Sequence, residues 1–380
     1  MLRKVLILCI YLIPINLLAQ CHWKSMPGPD IGSSIDKVII VKNELYVTGD
    51  FDSIGGIHAK LLAKWDGIKW DSVSHSLNSD NIDYWTLGEY ENQLYTADRP
   101  NNSNGYYARI KKWNGKTWEV IGTTNASWGK IPNSMMVTGP NIRMMKEFKG
   151  ALYVVGNFDE INGIKAKNIA RWDGKEWSPL QKGIDYDDMI WIDGMCEYRG
   201  KLYIAGMFDK ADDKEVNNMA CWDGNKWISI PGLRSNHLEA LAVYNDELYV
   251  GGYFYNNGDE FKTGLMKWNE KEWTNVGDTL KAIVCSMAVY NGLLYAGFSR
   301  MTPQDGFYAL AKWNNKTWSP MGGGVNNPNT IDSLGLSKLE YIVTRKITAM
   351  FVYKGDLYVT GFFYSLGNLP AYGIGRWSLQ

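Results

Sequence analysis

The feature that most constrains this chain is a pair of tryptophans five residues apart that recurs along it. The copies read KWDGIKW at 64–70, KWNGKTW at 112–118, RWDGKEW at 171–177, CWDGNKW at 221–227, KWNEKEW at 267–273 and KWNNKTW at 312–318. Upstream of each lies a second block: ELYVTGDF from 44, QLYTADRP from 93, ALYVVGNF from 151, KLYIAGMF from 201, ELYVGGYF from 247 and LLYAGFSR from 293, with a seventh, DLYVTGFF, from 356. Repetition at this period means stacked units with a shared core, so 380 residues do not imply several separate domains. The seventh block leads to Trp377 alone. Its missing partner is at the other end, where HWKSMPG at 22–28 has the spacing of TWSPMGG at 317–323.

Each unit reads as four short strands. The first ends in an aromatic (Phe148, Tyr198, Tyr244, Tyr290, Tyr353), followed by a two-residue turn such as Lys149-Gly150 or Arg199-Gly200. Then come the LYV strand, a longer loop, a strand ending in the first Trp, an Asp-Gly or Asn-Gly turn, and a strand carrying the second Trp. Asp-Gly and Asn-Gly accept the positive backbone angles of a type I′ hairpin. With Asp173 and Gly174 as a two-residue loop, Trp172 would face Lys175 and Trp177 would face Ala170, a diagonal pair on one face. Burying two indoles per unit, at ~25 cal/mol per Å² of apolar area, would weld adjacent sheets. The sequence therefore predicts an all-β chain: a seven-bladed β-propeller of four-stranded blades, with the N-terminal strand completing the last blade. Closure of that kind removes exposed sheet edges.

The LYVxG block, loop and Trp pair resemble the kelch repeat and the galactose-oxidase-like central propeller. They are more similar still to the LYVGGxF…WDGxxW repeats of secreted bacterial propellers and to repeats of fungal cortical polarity-marker proteins. The resemblance covers essentially all of residues 21–380 and implies a propeller, a fold that hosts enzymes, lectins and scaffolds alike. Galactose-oxidase-like copper chemistry would need clustered His and Tyr ligands with a cross-linked Tyr-Cys pair, and no residue here matches those positions. The WDG turn is similar to the Asp-box of sialidases but lacks its leading Ser or Thr and its spacer.

Residues 1–20 carry Arg3 and Lys4, an apolar run from Val5 to Ile13 and the ending LLAQ, the layout of a secretory signal peptide. The expected division is thus 1–20 leader and 21–380 one propeller, exported to periplasm, cell surface or medium, with no transmembrane segment. A lipid anchor at Cys21 is the alternative; the bulky Gln20 before it and Trp23 just after it, in a strand, argue against it. Cys21, Cys196, Cys221 and Cys285 form no CxxC pair, which points to buried thiols rather than a metal site or disulfide framework. Forty basic and forty acidic residues cancel, so bulk charge gives no reason to expect a nucleic-acid partner.

Of 17 tryptophans, 14 sit in the repeat. The other three, Trp85, Trp128 and Trp191, fall in apparent connections between blades, next to Asp83, Asp187, Asp188 and Asp193. Aromatic faces beside carboxylates suit stacking on a sugar ring while hydrogen-bonding its hydroxyls, so Trp85, Trp128, Trp191, Tyr186, Asp187 and Asp188 are the ligand-binding candidates; the competing reading is that these rings plug blade entrances. The acidic run at 185–188 lacks the spacing of a calcium loop. No catalytic motif, metal or cofactor is indicated: the four His form no ligand pair, and neither GxSxG nor HExxH occurs. The expectation is a monomeric, non-catalytic module for a glycan, peptide or cell-surface protein. A carbohydrate-active hydrolase or lyase would instead bring two carboxylates (Asp188 with Glu239, for instance), or a carboxylate and a His, together in the central funnel. An inert envelope component would bury all three off-frame tryptophans.

Overall fold

The computed structural model describes residues 22–73, 82–100, 107–126, 140–186, 190–255, 261–277, 282–299, 309–322, 325–326 and 346–378. Among them every regular element is a β-strand. The repeat unit is an antiparallel set of four, as in Asn141–Phe148, Ala151–Asn157, Ile169–Trp172 and Trp177–Pro179, paired in that order. Equivalent sets begin at Lys37–Val41, Ile82–Tyr90, Trp191–Tyr198, Ser235–Tyr244, Ile283–Tyr290 and Lys346–Tyr353. These first strands are innermost and touch one another in sequence, and Lys37–Val41 also touches Lys346–Tyr353. The set begun by Lys346–Tyr353 draws its outermost strand from the other end of the chain: His22–Lys24 pairs with Ile374–Ser378, Trp23 opposite Trp377.

The inner hairpins follow turn chemistry. Lys149 and Gly150 have φ of 47° and 70°, the doubly positive pattern of a type I′ turn, whose twist matches its strands. The outer Trp–Trp hairpins do not. Asp173–Glu176 form a four-residue loop, and Trp172 stands directly opposite Trp177 rather than diagonal to it. The cause is Asp173, whose Oδ1 accepts the amides of Lys175 and Glu176, each at 2.9 Å. Asp66, Asn114, Asp223, Asn269 and Asn314 make the same two bonds. The motif thus requires a side-chain acceptor more than a glycine, which explains the glycine-free copies KWNEKEW and KWNNKTW.

The paired indoles lie 4.9 to 5.3 Å apart, centroid to centroid. Except at Trp118, whose indole N–H is buried without a partner among the described residues, the second Trp of a set also donates its indole N–H to the set before it, for instance Trp177 to Ile121 O at 2.8 Å, Trp227 to Leu180 O at 3.1 Å, Trp318 to Val276 O at 3.3 Å and Trp23 to Gly322 O at 3.0 Å. On the inner side, tyrosine hydroxyls reach forward to the next turn, Tyr198 to Asp246 O at 2.9 Å and Tyr353 to Asn43 O at 3.0 Å. Most sheets are therefore fastened to a neighbour by a ring with a satisfied polar tip, while Trp118 makes no such bond among the described residues and Val41 and Phe148 stand where other sets carry a tyrosine.

The longer loop between second and third strands is structured. In four sets it folds into a small hairpin: Ser53–Ile54 with Ile57–His58, Glu160–Ile161 with Ile164–Lys165, Lys210–Ala211 with Lys214–Glu215, and Ser365–Leu366 with Leu369–Pro370. Three of these pair with chain leaving the preceding set, at Thr124–Asn125, Ile184–Asp185 and Val325–Asn326, and Ile54 bridges Pro29. The recurring Phe-Asp pairs serve this brace: Phe51, Phe158 and Phe208 are buried, and Asp52, Asp159 and Asp209 accept a closing amide through their carbonyls.

Candidate functional site

The repeat's glycine creates the site. Opposite Gly206 the first strand carries an extra residue: Ile192 faces Gly206, Gly194 faces Ala205, and Asp193 is left over in a bulge. A Cβ at Gly206 would lie 1.8 Å from the Trp191 carbonyl oxygen, so only glycine leaves room. The same register step frees Arg143 opposite Gly156 and Glu239 opposite Gly252. In the set begun by Ile283–Tyr290 the pairing shifts: Phe298, not the apparently equivalent Gly297, faces Val284, and Cys285 is the bulged residue.

Bulged residues reach across to the next set. The Arg143 guanidinium lies over the Trp191 ring, 4.0 Å from its centroid, and its NH2 group donates to Asp193 Oδ1 at 3.5 Å. Asp193 Oδ2 takes the third set's contribution, His237 Nε2, at 2.7 Å. His237 is in turn stacked on Tyr253, with 6.4 Å between centroids. Three neighbouring sets thus supply one chain of contacts: Trp191, Arg143, Asp193, His237, Tyr253. Burial alone pushes the Asp193 carboxyl up, but the His237 hydrogen bond and the charges of Arg143, His237 and Lys37 outweigh it and hold the group below the usual carboxylate range. Burial pulls the Arg143 guanidinium down, against the opposing pull of Asp193. Beyond this cluster, Cys285 Sγ donates to Ile347 O at 3.1 Å. Desolvation pushes the half-buried thiol of Cys196 up to about 12 and the buried thiol of Cys221 up to about 11, so both stay protonated at neutral pH.

Trp191, one of the sequence candidates, falls in this cluster, but on the first position of a strand rather than in a connection, with 37% of its surface exposed. The strand continues past the bulge at Asp193, pairing Ile192 with Gly206 and Trp191 with Met207. Trp85 also lies within a strand, Ile82–Tyr90, at the matching bulge; its side chain is outside the described residues. Tyr186 is half-buried and packs against the core shared by two sets. Asp185 pairs with Lys167 at 2.5 Å. Trp128, Asp187 and Asp188 lie outside the described residues.

Sequence reasoning missed Arg143, His237 and Tyr253, and noted Asp193 only as the neighbour of Trp191. A signal was available. Trp85, Arg143, Asp193, Glu239, Cys285 and Thr348 each stand five residues before the aromatic that ends their first strand, a column with a fixed position and no consensus. Among the described residues no three His, Cys, Asp or Glu side chains gather as a metal site.

With the geometry in place, comparison with solved structures defines the class. The GH74 xyloglucanase from Xanthomonas campestris matches with a TM-score of 0.57 and 13% identity over 94% of this chain and 53% of its own. The β-propeller domain of the Trilobed protease from Pyrococcus furiosus, which has an open velcro topology, matches with a TM-score of 0.52 and 10% identity over 91% of this chain and 93% of its own. The chain spans about half the length of the xyloglucanase. At these identities the likeness is one of fold, and the fold is an all-β propeller. No protein-family model matches the chain, and no curated protein matches it in sequence.

Proposed function

We propose that this chain is an exported, non-catalytic binding module: a monomeric, seven-bladed propeller closed by its N-terminal strand, which holds a glycan where the first strands enter the blades. The closed ring is supported by the Trp23–Trp377 pairing and by the reach of Tyr353 to Asn43. Export is supported by the leader-like residues 1–20.

One observation carries the binding reading. Trp191 keeps 37% of its surface exposed although Arg143 lies 4.0 Å from its ring, and Arg143 is fixed in turn by Asp193. An indole left open yet locked in orientation is a stacking platform whose ordering cost has been met before the ligand arrives. That exposure also counts against an inert structural role. A hydrolase or lyase is the second reading, favoured by the 2.7 Å contact between Asp193 and His237. Against it, the Asp193 carboxyl is contacted on both oxygens and held ionised, so it has no proton to give a leaving group at neutral pH.

The test is glycan-array binding by the wild type and Trp191→Ala, with bound glycans then incubated and their reducing ends counted. We expect binding that Trp191→Ala lowers at least tenfold, with no new reducing ends. Release of product would establish the hydrolase reading instead; undiminished binding by the variant would remove Trp191 from the site.

A further inference from the structure

Arg143 is held firmly but used sparingly. A guanidinium has five N–H donors. Among the described residues Arg143 makes one hydrogen bond, the 3.5 Å contact with Asp193, and its Nε is buried without a partner. His237 holds the other oxygen of Asp193 at 2.7 Å. Trp191 lies against the guanidinium, with the Arg143 Cζ 4.0 Å from the ring centroid, and 21% of the Arg143 side chain remains exposed. The result is a fixed cation with spare donors beside an open indole, and its nearest counter-ion is shared with a second partner.

We propose that the ligand of this site is an acidic sugar, whose oxyanion accepts hydrogen bonds from the edge of Arg143 while its ring lies along Trp191. This rests on the glycan-binding reading above and narrows it to a class. The planar fork of arginine matches a carboxylate bidentately, so the uronate form fits best; a sulfate ester offers the same oxyanion chemistry from another source. The ligand would supply acceptors that the protein itself leaves out, which makes recognition depend on charge as well as on ring shape.

The experiment uses the full chain and three probes at one ionic strength: a defined oligouronate, its methyl ester, and a neutral oligosaccharide carrying sulfate esters. Calorimetric titration of the wild type should show the oligouronate bound at least tenfold more tightly than its ester. Arg143→Gln should bring that ratio close to one, and Arg143→Lys should restore only part of it. Preference for the sulfated probe over the oligouronate would support the oxyanion and assign it to sulfate. If acid and ester bind equally and Trp191→Ala abolishes both, the acidic-sugar inference is overturned while the binding module stands. If none of the probes nor any neutral glycan binds, both fall. Because the acid-to-ester ratio is read on the wild type, a poorly folded Arg143 variant does not blunt the test.

Discussion

At the scale of single residues the site is organised by Asp193. Its folded-state pKa is depressed, so its ionised form contributes stability above the unfolded value of about 3.9, and that contribution is lost as pH falls through the folded value. Asp193→Asn should therefore lower unfolding free energy at pH 7 by about 1–2 kcal/mol, a figure reduced from that of a fully buried pair because a quarter of the side chain meets solvent. Urea unfolding of both proteins should give a gap that is widest at neutral pH and narrows below about pH 4, where the wild-type carboxylate also takes up its proton. A gap that persists unchanged at pH 2 would mean that packing or hydrogen bonding, rather than charge, accounts for it. The residue scale is also where the sequence was least legible. Arg143, Asp193 and His237 come from three units and share no local motif. Alternation predicts which side chains enter a core, whereas Arg143 and Asp193 project because one extra residue interrupts the alternation, and His237 stays in register opposite Tyr253.

At the scale of elements the chain was far more legible, because turns and strand faces are set by neighbours in sequence. The Trp spacing marks each outer hairpin, and Lys149-Gly150 and its counterparts mark each inner turn. What stayed hidden was competition between local signals: in Asp173-Gly174 the side-chain acceptor overrides the glycine and lengthens the loop. The glycine of the LYVxG block was visible, but its purpose was not, since that depends on the carbonyl of Trp191 on the adjacent strand. Gly206→Ala tests this purpose. The added methyl must push that backbone away, at about 1–3 kcal/mol for overpacking. Because Trp191 and Asp193 flank the displaced position, we expect ligand affinity to fall at least tenfold, more than a comparable loss of stability elsewhere would cause; a variant with lowered melting temperature and intact affinity would separate the glycine from the site.

At the scale of the whole molecule, cohesion comes from one fastening used repeatedly, an indole pair bonded to the preceding sheet. Trp23 is the instance that joins the two ends of the chain. Trp23→Ala removes a ring that is 5% exposed, its contact with Trp377 at 5.0 Å and its bond to Gly322. A loss of about 3–5 kcal/mol is expected in denaturant unfolding. Hydrogen exchange should show the loss reaching Ile374–Ser378 and Trp318–Pro320 before Asn141–Phe148, which among the described residues belongs to a set in contact with neither. Uniform acceleration everywhere would indicate instead that the molecule opens as a single cooperative unit.

The pairing of His22–Lys24 with Ile374–Ser378 also sets an order of assembly. The ribosome makes the first of these segments long before the second exists, so a stretch that belongs inside a sheet must wait, unpaired, until the chain between them has been made. Contacts so distant along a chain are slow to form, and until this one does a strand edge is left open to mispairing. A nascent protein of this design gains from anything that keeps its leading segment occupied in the meantime.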